Sequence, residues 1–300
     1  MEQQHMFTNR MIRNLLVPVV LEQILNSIMG TADTMMVSNV GSAALSAVSL
    51  VDSINVLLIQ AFSALAAGGA IVCAQYIGQR NYEKANMSAR QVLFIITAIS
   101  VVVSAVCLIF QKPLLRLIFG AVDADVMRAS ETYFFFTALS FPFIAAYDSA
   151  ASIFRAQENT KGPMTISMIS NIMNIGGNAI LIWVFHLGVA GAAISTLVSR
   201  IFCAVVVLWQ LRKDRQPVVV RDYLKIRPDW SMIGRILGLG IPSGIENSMF
   251  QLGKLAIQST VSTLGTAAIA AQAMTNILEN LNGIAAIGVG VGLMTIVGQC

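Results

Sequence analysis

The chain has 300 residues, 56% hydrophobic and only 11% charged, with a formal net charge of +4 and a mean hydropathy of +0.73. A soluble domain carries about a quarter charged residues, so this is the composition of a chain embedded in lipid. Disorder, collagen-like repeats and a disulfide-dense secreted scaffold are excluded.

In chain order, apolar windows bounded by charges, glycines and prolines predict eight membrane helices. They are Ile12 to Val37, Ala43 to Ile77, Gln91 to Ile109, Tyr133 to Phe154, Pro163 to Phe185, Val189 to Leu211, Ile233 to Val261 and Ala267 to Val297. The stretches 53–79, 91–111, 162–199 and 280–300 contain no Asp, Glu, Lys or Arg. Each is longer than the roughly 18 residues beyond which a buried soluble helix is a poor explanation. The first segment is too long and too polar for a cleavable signal peptide, with Asn14, Glu22, Asn26 and Asp33 along it. Cys73, Cys107, Cys203 and Cys300 have no CxxC spacing, and three of them sit in apolar runs, as expected of small buried residues.

Lysine and arginine set the orientation, because they stay on the cytoplasmic side of short loops. Arg10 and Arg13 precede the first span. Arg80, Lys84 and Arg90 follow the second, Arg155 and Lys161 the fourth, and Arg212, Lys213, Arg215, Arg221, Lys225, Arg227 and Arg235 the sixth. These are 14 of the 19 basic residues. The opposite loops hold Lys112, Arg116 and Arg128. A multi-pass protein of the inner membrane with a cytoplasmic amino terminus is expected.

Shifting the chain by 224 positions lays Pro18 on Pro242, Glu22 on Glu246, Val37 and Ser38 on Val261 and Ser262, and Gly41 on Gly265. Further on, Gly78 and Gln79 match Gly298 and Gln299 after a short deletion. Span seven thus repeats span one, and span eight repeats span two. Six spans in the first copy make the two copies parallel, related by an axis along the membrane normal. The expected fold is all-α and polytopic, with eight transmembrane helices here of twelve in two pseudo-symmetric six-helix lobes. Residues 1–215 form the amino-terminal lobe, 216–232 a cytoplasmic loop, and 233–300 the start of a carboxyl-terminal lobe that continues beyond this chain.

Charged groups inside a bilayer are costly and mark ion or substrate pathways. Here they are Glu22, Asp33, Asp52, Asp148, Glu246, Glu279, Arg200 and Lys254. Asp33 lies near the outer end of the first span, with no basic residue beside it, and is a candidate proton carrier. On the fifth span Asn171, Asn174 and Asn178 fall at i, i+3 and i+7, a polar stripe on one face. Oxygen ligands of this kind also suit a hard cation such as Na⁺. Methionines such as Met29, Met36 and Met249 would line a forgiving apolar cleft, with Asn26, Asp52, Glu246 and Lys254 as its polar members. No hydrolase, zinc or phosphate-loop motif occurs, so an enzyme is not expected and no cofactor is called for.

Several segments resemble the multidrug and toxic compound extrusion (MATE) family. They are Pro18 to Gly41 with Asp33 before MMVSNVG, CAQYIGQRNYEKA at the end of span two, FRAQENTKGPM between spans four and five, NIMNIGGNAILI, and GVAGAAIST opening span six. The resemblance runs from Arg10 to Cys300 and implies about two thirds of a family member. It implies two lobes around a central cleft and export of organic cations in exchange for H⁺ or Na⁺, by a monomer with no nucleic-acid partner. Residue by residue it makes Asp33 the coupling acid, Asn174 and Asn178 the polar pair of helix five, and Thr196 a hydroxyl of the same cation site. Two departures are visible. Asn178 stands where some members carry Asp, and Phe250 stands where one branch carries Glu. A lipid-linked oligosaccharide flippase of the same superfamily is the alternative, and it calls for a strongly basic cleft.

Overall fold

A computed structural model describes residues 9–120, 122–213, 217–220 and 227–299. Arg215, Arg221, Lys225 and Cys300, and the side chains of Arg10 and Arg13, lie outside the described residues.

The described elements are helices: α1 (Asn9–Ser38), α2 (Ser42–Gly78), α3 (Tyr82–Ile109), α4 (Gln111–Phe119), α5 (Ala124–Leu139), α6 (Phe141–Ala156), α7 (Lys161–Asn178), α8 (Gly188–Leu211), α9 (Trp230–Ser262) and α10 (Thr266–Gln299). A π-helical turn, Ala179–Val184, continues α7. Helix is what a lipid-embedded backbone demands, since every N–H and C=O must be satisfied within the chain. Among the described residues, α2, α3, the unit Lys161–Val184 and α8 are each long and apolar enough to cross a membrane, and the bent pair α5 and α6 is so when taken together, as a broken span or a re-entrant loop. α1, α9 and α10 run 30, 33 and 34 residues, ample for a bilayer, and they carry most of the intramembrane acids.

Two expectations need correction. The fourth predicted span is not one rod from Tyr133 to Phe154: α5 starts earlier and meets α6 at an angle of 44°. Pro142, in the first turn of α6, has no N–H to offer the carbonyl four residues back. That carbonyl, of Ala138, instead accepts from Ser104 Oγ of α3 at 2.8 Å. The second correction is α4, a nine-residue helix that buries Leu115 and Phe119 and was not among the predicted elements.

The repeat is visible in the helix boundaries. α1 and α9 end at the equivalent residues Ser38 and Ser262, and α2 and α10 begin at the equivalent Ser42 and Thr266. Between them Gly41 and Gly265 both take positive φ, 142° and 99°, a backbone that glycine adopts most readily.

α2 is the hub, packed against α3, α5, α6, α9 and α10. Its crossing with α9 is backbone to backbone: a Cβ on Gly68 would stand 2.5 Å from the Gly240 nitrogen. Without a hydrophobic drive between helices in lipid, such small-residue contacts supply the packing. The same crossing is tied near the carboxyl-terminal end of α2 by Arg235 Nη1, which donates to Tyr76 Oη at 2.6 Å.

Candidate functional site

α7 and α8 are stitched together by side-chain to backbone hydrogen bonds and a close glycine contact. Gly177 leaves no room for a Cβ, which would sit 2.4 Å from Ser195 Oγ. Ser195 Oγ donates to the Asn174 carbonyl at 2.8 Å, and Ser170 Oγ to the Ser199 carbonyl at 3.2 Å. Thr196 of α8 is thereby placed beside Asn174 of α7, and α1 lies against the same face of α7.

The four residues singled out as a cation site come together here. Asn178 Nδ2 donates to Asp33 Oδ1 at 2.5 Å. The Asn174 amide is oriented by its neighbours, since a carboxylate accepts and cannot donate. With its nitrogen toward α1 it donates to Asp33 Oδ1 and Oδ2 at 2.8 and 3.2 Å, and its oxygen accepts from Thr196 Oγ1 at 3.3 Å. Asn174 and Asn178 are 2% and 0% exposed, so these amides are spoken for by the site and not by water. Asn178 Oδ1 is buried with no partner among the described residues. In this arrangement Asp33 is held by amide N–H groups; the same residues carry one carboxylate, two amide oxygens and a hydroxyl, hard oxygen ligands of the kind a proton or small hard cation takes once the amides turn. The π-helical turn begins at the residue after Asn178, the kind of helix irregularity that recurs at functional sites.

The amide stripe does not act as one unit. Asn171 donates to Asn26 Oδ1 at 3.1 Å, which also accepts from Ser167 Oγ at 3.0 Å. Asn26 thus ties α1 to α7 one turn or more away from Asp33. Nearer the start of α1, Glu22 is 3% exposed. It accepts from Tyr147 Oη at 3.1 Å and pairs with Arg155 Nη2 at 3.4 Å, joining α1 to α6.

Behind Asp33 lies a second polar group that sequence reasoning resolved only in part. Asp52 of α2 accepts from Asn55 Nδ2 at 3.2 Å, and Tyr133 of α5 lies close to it. Arg200 of α8 donates through Nη1 to Ser140 Oγ at 2.6 Å. Tyr133, Asn55 and Ser140 carried no charge and no motif to separate them from ordinary helix residues.

The remaining cleft candidates are spread out. Met29 and Met36 are half-buried on α1, while Glu246 and Met249 are exposed on α9. Met249, with Ala61, Leu65, Ile241, Ile245 and Leu252, lines an open apolar groove of about 350 Å³ between α2 and α9. Lys254 Nζ pairs with Glu279 Oε1 of α10 at 2.6 Å.

Long apolar helices around a half-buried carboxylate and its buried amides define a polytopic membrane protein with an intramembrane polar site, the architecture in which ion and solute pathways are found. The MatE family profile matches residues 18–180, more than half of the chain, and the chain belongs to that family. It is 27% identical over 95% of its length to the probable multidrug resistance protein YoeA of Bacillus subtilis, covering 62% of that protein. It is 25% identical over 95% of its length to the probable multidrug resistance protein NorM of Thermotoga maritima, covering 61%. The chain therefore spans about three fifths of the length of these relatives. Among solved structures, the MATE multidrug transporter DinF-BH matches with a TM-score of 0.90 at 22% identity, over 100% of this chain and 68% of that one. An outward-facing multidrug resistance MATE family transporter of the MOP superfamily matches at 0.86 and 20% identity, over 97% and 64%. At such identities the likeness concerns the fold.

Proposed function

We propose that this chain is the cation-coupling part of a multidrug efflux antiporter, which exports cationic or amphipathic compounds in exchange for H⁺ or Na⁺. The observation that carries the reading is the convergence of Asp33, Asn174, Asn178 and Thr196 from three helices on one buried point. The multidrug-resistance role named for the relatives supports it. In this reading residues 1–215 form one six-helix lobe and 233–300 the start of a second, in an inner membrane, with the amino terminus in the cytoplasm and the protein acting as a monomer. The oligosaccharide-flippase alternative calls for a basic cleft, whereas the site here centres on two acids and one guanidinium.

The chemistry follows from the hydrogen bonds. The Asp33 carboxylate is held by amide N–H groups. Taking up a proton or Na⁺ removes the charge those donors were serving, so the amides turn oxygen toward the cation and the pairing of α1 with α7 is rebuilt. That exchange gives the cation different affinities for the two arrangements. Without such a difference it would shift neither, and no transport could be coupled to it.

The test is reconstitution of the protein, expressed from its full-length gene, in liposomes loaded with a fluorescent organic cation. Dye movement driven by an imposed H⁺ or Na⁺ gradient supports the reading. Dye movement indifferent to both gradients contradicts it.

A further inference from the structure

The turn between α9 and α10 is held from the side by α4 and by the start of α5. Ser259 Oγ of α9 donates to the Ile118 carbonyl of α4 at 2.7 Å. Thr266 Oγ1, on the first residue of α10, donates to Asp123 Oδ2 at 2.8 Å, and the Thr266 carbonyl accepts from Ser46 Oγ of α2 at 3.2 Å. α1 finishes at this same end of the bundle, at Ser38, shortly after Asp33.

Asp123 occupies the N-cap position of α5: its φ and ψ are −56° and 147°, and its carbonyl accepts from the Met127 N–H at 3.0 Å. A cap aspartate in such a backbone turns its carboxylate onto the free N–H groups of the first turn, as Asp229 does for Ser231 and Met232 at 3.0 and 3.2 Å. The Asp123 carboxylate makes no such bond and reaches across to Thr266 instead. The Asp125 and Val126 amides of the first turn are therefore a second partner within reach of the same carboxylate. Asp123 is exposed, and a cap bond and a bond to a hydroxyl are of similar worth, so little free energy separates the two arrangements.

We propose that Asp123 is the movable half of a clasp. Bonded to Thr266 it holds the α9–α10 turn against α4 and α5; released, it caps α5 and lets the turn move away. α4 is the fixed jaw, seated by Leu115 and Phe119, which are 0% and 1% exposed. The role of the clasp in transport, closing this end of the bundle beside the Asp33 site, rests on the antiport reading above; the exchange of partners does not.

The experiment compares Thr266→Val, Asp123→Ala and Asp123→Asn in the full-length protein, in a background without native cysteines. Spin labels on Leu117→Cys of α4 and Leu264→Cys of the turn, at positions 85% and 72% exposed, report the distance between the jaws. Hydrogen exchange of the Asp125 and Val126 amides reports the cap. Thr266→Val is expected to raise the long-distance share about threefold or more and to slow exchange at those amides by about as much, because the freed carboxylate caps them. Asp123→Ala is expected to open the clasp equally and to speed the same amides. Asp123→Asn, which keeps an acceptor for either partner, is expected to match wild type. A brace with no second partner would open in Thr266→Val without slowing exchange, and that result overturns the proposal. So does an unchanged distance in Thr266→Val, or an opening by Asp123→Asn as large as by Asp123→Ala. Dye efflux by Thr266→Val is expected to fall about threefold or more, because this end closes less often; efflux at or above the wild-type rate overturns the role in transport. A wild-type protein that moves no dye, with distances and exchange as expected, contradicts the antiport reading alone.

Discussion

Asp33 Oδ1 on α1 and Asn178 Nδ2 on α7 stand 2.5 Å apart across 145 residues of sequence. The pair joins the acid to the last residue of α7 before the π-helical turn. Asp33 has no carboxylate counterpart in the repeat: at the same register on α9 stands Ile257, which is exposed. The Asp33 cluster is built where α7 and α8 are close enough to hold two amides and a hydroxyl near one acid.

The pair makes Asn178→Asp informative. A second carboxylate at this distance requires a positive charge between the two. The expected result is efflux that depends more steeply on Na⁺ at fixed pH than in the wild type, measured as transport rate against Na⁺ concentration. An unchanged Na⁺ dependence would show that position 178 does not set ion preference.

The link between α1 and α6 rests on the Glu22 and Arg155 pair, whose side chains are 4% and 19% exposed. Breaking a buried pair from one side costs about 3–5 kcal/mol because a charge is left without its partner. Arg155→Met should therefore lower the melting temperature strongly. Arg155→Met with Glu22→Gln should recover part of it, since the stranded charge is gone.

Close approach of α2 and α9 leaves no space at Gly68. Its missing Cβ would meet the Gly240 backbone at 2.5 Å, with no flexible side chain to give way. Gly68→Ala should push the helices apart at a cost of about 1–3 kcal/mol, seen as a lower melting temperature. Gly234→Ala, where nothing lies within 4 Å, should be close to neutral.

At the bend between α5 and α6, Ser104 satisfies the Ala138 carbonyl that Pro142 leaves open. Ser104→Ala removes that donor from a buried site, for a loss of about 1–3 kcal/mol. Ser104→Thr keeps the hydroxyl and should retain more of the stability, as read by thermal unfolding of the two variants side by side.

The positions of the long helices and of Asp33, Asn174 and Asn178 were legible because each rests on a local signal: an apolar run, a charge out of place, amides at helical spacing; Thr196 came only through the family resemblance. What was not legible depends on neighbours far away in sequence. The stripe of three asparagines looked like one surface, yet Asn171 serves Asn26 while its two companions serve Asp33. The bend at Ser140 hides inside a window whose mean hydropathy is unbroken, and only the proline two residues on marks it. Tyr133 on α5, Asn55 on α2 and Ser140 at the bend between α5 and α6 are uncharged residues. Only the packing of α2, α5 and α8 shows that they surround Asp52 and Arg200.

The measurement that bears most directly on the account is efflux by Asp33→Asn in the full-length protein. It should be made under a proton gradient with and without Na⁺, in membranes where the variant's abundance matches wild type. The amide keeps the shape of the carboxylate and its place against Asn178, and it removes the charge that takes up the cation. The account predicts that efflux falls to the background of cells lacking the protein under both conditions, while the folded protein remains in the membrane. Efflux at the wild-type rate under either gradient would contradict it.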